Sequence, residues 1–173
     1  MREESKLASF EKAVLPHLDA AYNLARWLTR NEADAEDVVQ EATLRAFKFF
    51  GGFHGANGRA WLLKIVRNTC YTWLQQNRAR EFATSFDENV HGEESGNPET
   101  TLLGDVDRQM LRQALEELPL EFREAIILRE LEGLSYKEIA AIANVPVGTV
   151  MSRLARARRR LQLHLNGRRE GGL

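Results

Sequence analysis

The sequence predicts an all-α protein of two small helical domains joined by a flexible acidic linker, the second domain containing a helix-turn-helix. Three observations lead to this fold class. Apolar residues recur at three- to four-residue spacing through most of the chain. That periodicity is missing between residues 81 and 105. Two short helical patterns joined by a tight turn then follow over residues 134–161, the second far more basic than the first. The predicted division is therefore residues 1–80, linker 81–105, residues 106–167, and a tail 168–173.

The helix-turn-helix is predicted from Leu134 to Leu161. Ser135 and Glu138 have the spacing of a capping box, in which each side chain bonds the other residue's backbone N–H. Asn144 tolerates the left-handed conformation that ends many helices, and Pro146 suits the start of the next one. The second helix has an apolar face at helical spacing: Val150, Leu154, Ala157 and Leu161. From Met151 onward the chain carries seven arginines and one glutamate, which indicates a basic surface of the kind that binds nucleic acid.

Three helices are predicted in the N-terminal half. The first, residues 7–29, has a break near Leu15 because Pro16 follows it. The second runs from Asp34 to about Phe50, where two glycines end it, and Glu41 is placed to pair with Arg45 at i, i+4. The predicted inward residues of these two helices are Leu7, Phe10, Val14, Leu18, Ala21, Leu24, Ala25, Leu28, Val39, Ala42, Ala46, Phe49 and Phe50.

A glycine-rich loop over residues 51–59 precedes the third helix, residues 60–77. The loop lacks the lysine and the spacing of a phosphate-binding loop, so no nucleotide site is predicted there. Aromatic rings lie beside cations in this region, as in proteins that bind single-stranded DNA. The alternative is that most of these rings are core; Trp73 favours the core, whereas for Trp61 both interpretations stay open.

The linker has six acidic residues between positions 81 and 101 and no lysine or arginine. Helices are expected after it over residues 106–118 and 120–132, with Pro119 between them and Gly133 as a stop. The single cysteine, Cys70, excludes an internal disulfide and fits a buried apolar role in a reducing compartment. No segment approaches the length of a membrane span, and the first residues lack the apolar core of a signal peptide. These features predict a cytoplasmic protein.

The chain resembles bacterial sigma factors of the extracytoplasmic-function (ECF) group in the sigma-70 family. DAEDVVQEATLRAFKFF resembles the family's polymerase-binding helix, and FHGANGRAWLLKIVRNTCYTWLQQNRAR resembles its melting and −10 recognition regions. The most specific likeness is in PVGTV-x-SR-x-x-RAR-x-x-L of the predicted −35-reading domain. The resemblance implies core RNA polymerase and promoter DNA as partners, with an anti-sigma factor as a further expected partner, and it implies no cofactor, metal or membrane insertion.

The resemblance also implies site residues. Those for the polymerase are Asp37, Gln40 and Glu41; those for the −10 element and melting are Trp61, Lys64, Arg67, Asn68 and Tyr71. Met151, Ser152, Ala155 and Arg156 are expected to face −35 bases, and Arg153, Arg158 and Arg159 to meet phosphates. Arg160 is expected simply to be exposed to solvent.

Other readings of the sequence remain open. An enzyme is disfavoured, because the four histidines are scattered and neither a metal-ligand spacing nor a nucleophile motif is present. A stand-alone regulator that binds duplex DNA as a dimer, or a decoy that sequesters an anti-sigma factor, would share much of the pattern. An ordinary helical hairpin with a solvated basic face is the plainest alternative for residues 134–161.

Overall fold

The computed structural model describes residues 2–83 and 103–170, and all regular secondary structure within those two ranges is helical. The all-α class is therefore confirmed. Most of the predicted linker, residues 84–102, lies outside the described residues. Its predicted edges differ from the structure, because helix continues to Ala83 on one side and begins at Leu103 on the other.

Eight α-helices are formed by the described residues. Their bounds are α1 Arg2–Val14, α2 Leu18–Thr29, α3 Glu32–Lys48, α4 Gly58–Ala83, α5 Leu103–Glu117, α6 Leu120–Ile126, α7 Tyr136–Ala143 and α8 Val147–Glu170. Short 3₁₀ turns occupy Leu15–His17 and Phe50–Gly52, and a π-helical turn, Ile127–Leu131, continues α6. The break predicted beside Pro16 is confirmed by the first of these turns.

Two helices in the N-terminal half begin earlier than predicted because asparagine side chains cap them. Asn31 is the N-cap of α3, where its side-chain oxygen accepts a hydrogen bond from the backbone N–H of Asp34 at 3.0 Å. Asn57 does the same for the backbone N–H of Ala60 at 3.0 Å. An asparagine cap satisfies one of the free N–H groups of a first helical turn, so both helices gain residues that periodicity alone did not assign.

The predicted core of the N-terminal half is correct for most positions. Val14, Leu24, Ala42 and Ala46 are fully buried, and Trp73 packs partly buried against the core. Leu7 and Phe49 were placed inward wrongly, since Phe49 is 60% exposed and Leu7 is 46% exposed. Because α3 ends at Lys48, Phe49 no longer follows the helical period that would have turned it inward.

The helix-turn-helix forms as predicted. Ser135 Oγ accepts from the Glu138 backbone N–H at 3.1 Å, and Glu138 Oε1 accepts from the Ser135 backbone N–H at 3.1 Å, which completes the capping box. Asn144 ends α7 with φ 56°. Gly133, the predicted stop before it, has φ 66°. Val150, Leu154 and Ala157 are buried, so the basic helix α8 is held by the face predicted for that purpose.

The two halves of the chain pack against each other. Helix α2 contacts α6, and α4 contacts α7. Buried residues of both halves join one continuous apolar cluster, which includes Leu24 and Leu28 from the first half and Ile127 and Leu128 from the second. The described conformation is therefore closed, with the glycine-rich loop and α4 beside the helix-turn-helix.

Gly58 is the residue that allows α4 to start against α1. A Cβ placed on Gly58 would clash with the backbone carbonyl oxygen of Ala13. Gly148, near the start of α8, has nothing within 4 Å of such an atom. Gly58 is therefore required by the close approach of the α1 backbone, whereas the position of Gly148 has room for a larger side chain.

We expect Gly58→Ala to lower the free energy of unfolding by about 1–3 kcal/mol, because backbone must shift to admit the methyl group. The matched variant Gly148→Ala should change it little, or raise it by up to about 1 kcal/mol through better helix propensity. Urea unfolding followed by circular dichroism measures both. Equal stability of the two variants would contradict the close approach of α4 to α1.

Candidate nucleic-acid interface

The outward face of α8 carries the residues predicted to meet bases. Met151, Ser152, Ala155 and Arg156 are all exposed, and Met151 retains 54% of its accessible surface. Met151 and Ala155 are four residues apart, as are Ser152 and Arg156, so the four side chains lie on neighbouring positions of one helix surface near the start of α8. The recognition helix of a helix-turn-helix presents this part of its surface to the major groove.

The arginines of α8 fall into two groups by their contacts. Arg153 lies 3.8 Å from Glu121 of α6, and Arg158 lies 3.0 Å from Glu130 of the π-helical turn. Carboxylates of neighbouring elements therefore pair with both arginines. Within the described part of the chain, neither Arg156 nor Arg159 has a carboxylate at ion-pair distance, and both are exposed. These two guanidinium groups are free to meet an external anion.

Arg160 differs from its prediction as a simply solvated residue. Its guanidinium carbon lies 5.2 Å from the centroid of the Phe122 ring, in cation–π contact. Arg160 therefore packs against Phe122 of α6, although its side chain remains exposed.

Helix α4 and the preceding loop hold the residues predicted for the −10 element. The Trp61 ring is partly buried and packs 5.0 Å from Phe53 and 6.1 Å from Phe50, centroid to centroid. Trp61 also borders a groove between α4 and α7, which Lys64 and Ile142 line as well. Lys64 and Asn68 are exposed on the surface of α4. Trp61 thus takes part in the aromatic cluster and also lines a groove.

Arg67 and Tyr71, from the same predicted set, are covered by the second half of the chain. Glu124 of α6 is 1% exposed; its Oε1 lies 2.6 Å from Arg67 Nε, and its Oε2 accepts a hydrogen bond from the Tyr71 hydroxyl at 2.8 Å. The Arg67 guanidinium also stacks 3.7 Å from the Tyr71 ring centroid. The structure therefore brings these two residues to a buried carboxylate that the sequence analysis did not identify.

The pKa shifts around Glu124 follow from burial and from its charge. Burial, assisted by the Glu124 charge, raises the pKa of the Tyr71 hydroxyl well above its usual range. Burial acts to lower the pKa of Arg67, but its hydrogen bond and ion pair with Glu124 outweigh that effect and raise it. Burial beside the same carboxylate raises the pKa of the Cys70 thiol to about 12, which fits the inert, buried role predicted for it.

Further polar contacts join the two halves. Arg59 forms an ion pair with Glu132 at 2.6 Å and also donates to the Glu132 backbone carbonyl. The Asn57 amide donates to Glu138 Oε2 at 2.9 Å, which connects the glycine-rich loop to the capping box of α7.

Arg123 is a buried cation placed at the ends of two helices. Its guanidinium donates to the carbonyl of Leu28 near the C-terminus of α2, at 3.3 Å, and to that of Leu118 just beyond α5, at 2.8 Å. Carbonyls at helix C-termini carry partial negative charge and lack intrahelical donors. Burial, with the nearby charge of Arg30, lowers the pKa of Arg123 to about 10.

A third surface lies on α3. Asp37, Gln40 and Glu41 are exposed, and the predicted pair forms, with Arg45 Nη2 2.7 Å from Glu41 Oε1. Leu44, which is 71% exposed, follows Gln40 and Glu41 at four and three residues and extends the same surface. The sequence analysis missed Leu44, although its spacing from Glu41 was a signal that could have found it.

The geometry defines a class of protein: an α-helical protein whose helix-turn-helix presents free arginines beside small exposed side chains, as nucleic-acid-binding proteins do. Sequence families agree with this class and divide the chain in the same two parts. Residues 13–80 match the family "Sigma-70 region 2", and residues 108–161 match "Sigma-70, region 4".

Characterised proteins with similar sequences are sigma factors. The chain is 42% identical over 134 residues to the ECF RNA polymerase sigma-E factor of Escherichia coli, covering 72% of this chain and 70% of that protein. It is 35% identical over 164 residues to the ECF RNA polymerase sigma factor SigE of Mycolicibacterium smegmatis, covering 94% of this chain. The match spans 64% of the length of the latter protein.

Solved structures agree. The fold is similar to that of the sigma factor RpoE in its complex with the anti-sigma factor NepR from Bartonella quintana, with a TM-score of 0.75 and 32% identity over 91% of this chain and 97% of that one. It also matches the fold of CnrH, solved with the cytosolic domain of CnrY, with a TM-score of 0.66 at 24% identity, over 93% of this chain and 90% of that one. This chain belongs to the ECF sigma factors of the sigma-70 family.

Membership of that family confirms the predicted resemblance and places the chain among transcription initiation factors, which are not enzymes. None of the helices formed by the described residues has the length and apolarity that a membrane crossing requires.

The capping box is expected to make the stability of the closed fold depend on acid pH. Hydrogen bonds from the Ser135 backbone and from Asn57 hold the pKa of Glu138 below its ordinary 4.5. A carboxyl group with a lowered pKa in the folded state contributes stability that is present above its unfolded pKa and is lost as the pH falls through the folded value. Stability should therefore decline below pH 4.5 partly through this residue.

We expect Glu138→Gln to remove that part of the decline, because glutamine can complete a capping box but has no charge to lose. Thermal unfolding from about pH 6 to about pH 3.5 should show wild type and variant converging as the pH falls. Glu36→Gln removes the same charge from an exposed position of α3 and should run parallel to wild type. A Glu138→Gln curve parallel to wild type would contradict the assignment.

Proposed function

We propose that this chain binds core RNA polymerase and directs it to promoters, reading the −10 and −35 elements and helping to open the DNA. The observation that carries the proposal is the surface of α8, where exposed Arg156 and Arg159 stand beside Met151, Ser152 and Ala155. The two sigma-70 regions occur in one chain, which gives it one region for each promoter element. Such a protein works in the cytoplasm, where core polymerase and promoter DNA are.

The proposed division of labour follows the two halves. Residues 1–80 bind polymerase and the −10 element, residues 106–167 read the −35 element, and residues 81–105 connect them. On α8, Arg156 reads a base, because a free guanidinium pairs with two acceptors of guanine. Arg159 meets phosphate, as do Arg153 and Arg158 once they leave Glu121 and Glu130.

In the N-terminal half, Trp61 and Asn68 receive bases of the −10 element after they leave the stack. The support is that Trp61 lines the α4–α7 groove and that Asn68 is exposed. An aromatic ring and an amide suit an unstacked base, which presents both a ring face and hydrogen-bonding groups. Lys64, Arg67 and Tyr71 then follow the strand's phosphates.

The exposed surface of Asp37, Gln40 and Glu41 is the proposed polymerase-binding site, with Leu44 as its apolar centre. Acidic and amide groups around one exposed leucine suit a basic partner that covers the leucine on binding. We also infer an anti-sigma partner for this chain, because a structurally similar sigma factor at 32% identity was solved bound to one.

Run-off transcription tests the function directly. The purified chain is added to sigma-free core polymerase on fragmented genomic DNA from its own source. Discrete new transcripts are expected, and their upstream sequences define the −10 and −35 elements. Neither transcripts nor binding to core polymerase would overturn the proposal.

We expect Arg156→Ala and Arg159→Ala to weaken promoter binding in different ways. Loss of Arg156 should cost about 1–3 kcal/mol and relax preference at one base position of the −35 element. Loss of Arg159 should weaken all sequences alike and reduce the slope of log K against log salt by about 0.9. Holoenzyme binding to promoter and scrambled duplexes between about 50 and 200 mM salt measures both.

Arg112→Ala is the matched control, since it removes one arginine from α5, where the side chain lies 3.6 Å from Glu116. It should retain the sequence preference and the salt slope of wild type. Identical behaviour of the Arg156 and Arg159 variants would show that α8 is not divided into base and phosphate contacts.

A further inference from the structure

The side-chain carboxylates at the interface between the two halves share one chemical pattern. The N-terminal half supplies the donors Arg59, Arg67 and Tyr71, and the C-terminal half supplies the carboxylates of Glu132 and Glu124. Glu138 adds a third carboxylate, which accepts from Asn57. Every one of these glutamates therefore meets a donor on the loop or on α4.

Two of these donors, Arg67 and Tyr71, belong to the surface that the proposed function assigns to the −10 element, where they meet DNA phosphates. Arg59 lies in the first turn of α4, and Asn57 lies in the loop that precedes it. A carboxylate and a phosphate are both oxygen anions that accept from guanidinium and hydroxyl groups. Glu124 thus satisfies donors that a nucleic-acid strand would use, and Glu132 and Glu138 occupy donors at the N-terminal end of the same helix.

Glu124 is the most deeply buried of the three glutamates. It is 1% exposed, and each of its two oxygens has one donor, Arg67 for one and Tyr71 for the other. The Arg67 side chain retains only 16% of its accessible surface. No phosphate can reach Arg67 and Tyr71 while this carboxylate is in place, so closure and DNA binding at these residues exclude each other.

Closure also conflicts with the distance between the promoter elements. Their centres lie about 25 base pairs apart, which is roughly 85 Å along B-form DNA. In the closed chain the two reading surfaces belong to halves that share one apolar core. The halves must therefore separate before one chain can occupy both elements.

We propose that the chain inhibits itself: its C-terminal half presents Glu124, Glu132 and Glu138 as an intramolecular substitute for DNA phosphates on α4 and its loop. Opening replaces these carboxylates with the backbone of the promoter strand. The inference rests on the proposed function for the identity of the competing anion, but the closure requires no second protein. An anti-sigma factor would then stabilise a state that the chain already adopts.

The first test is the shape of the free, full-length chain by small-angle X-ray scattering. A closed chain of this length should approach the radius of gyration of one compact body, about 16 Å. Glu124→Gln, which removes the charge facing Arg67, should increase it. Glu121→Gln is the control in the same helix, because Glu121 is 60% exposed and pairs with Arg153 inside the C-terminal half. A wild-type chain already as extended as the Glu124 variant would overturn the proposal.

The second test is access to the covered donors. Its probe is a fluorescein-labelled DNA single strand of about 20 nucleotides, with binding followed by anisotropy. If closure leaves only a minor fraction competent, the apparent Kd falls in proportion as that fraction rises. We expect at least about a tenfold gain for Glu124→Gln, no gain for Glu36→Gln, which removes an exposed carboxylate of α3, and loss of the gain in Arg67→Ala/Glu124→Gln. An unchanged Kd in Glu124→Gln would contradict the inference.

Glu132→Gln provides a second, independent opening variant through Arg59 if Glu124→Gln fails to fold by circular dichroism. Failure of the inference and failure of the proposed function give different results. If wild type is extended, or no variant gains affinity, while run-off transcription succeeds, only self-inhibition is wrong. If wild type is compact and opens on substitution but no form binds core polymerase, the function is wrong and the closure stands.

Discussion

The contact on which the closed structure depends is the one between Glu124 and its two donors. A carboxylate that is 1% exposed is stable only when its charge is matched and its oxygens are hydrogen-bonded, and Arg67 and Tyr71 meet both conditions from the other half of the chain. Separating the halves would leave three polar groups to find other partners. The interface is thus held by a requirement of charge as much as by apolar packing. When the halves separate, water can hydrate Glu124, and another anion can accept from Arg67 and Tyr71.

The parts of the fold that could be predicted are those fixed by neighbours in sequence. The capping box of Ser135 and Glu138, the left-handed Asn144 and the break at Pro16 all depend on residues within one helical turn. Arg67 and Glu124 are 57 residues apart, and either side chain alone reads as an ordinary surface charge. No periodicity reports that two such residues meet, so the covered state of Arg67 and Tyr71 could not be predicted.

The error at Phe49 has a different cause. Helical spacing predicts that Phe49 continues the apolar face of α3, but the helix ends at Lys48 and the Phe49 side chain is exposed. Leu44 illustrates the opposite case, an apolar residue inside the helix that faces solvent. Sequence periodicity assigns an apolar residue to the interior by default, whereas a surface that binds a partner needs such residues outside.

The π-helical turn Ile127–Leu131 lies between the two carboxylates that pair with α4. The backbone N–H of Glu132, just after the turn, donates to the carbonyl of Ile127, five residues back, at 3.1 Å, whereas an α-helix bonds the carbonyl four residues back. Glu132 meets Arg59 and Glu124 meets Arg67, so the two ion pairs are eight residues apart on each side and run in opposite chain directions. The wider turn thus gives the backbone one more residue between two ion pairs to the same helix than an α-helical turn would.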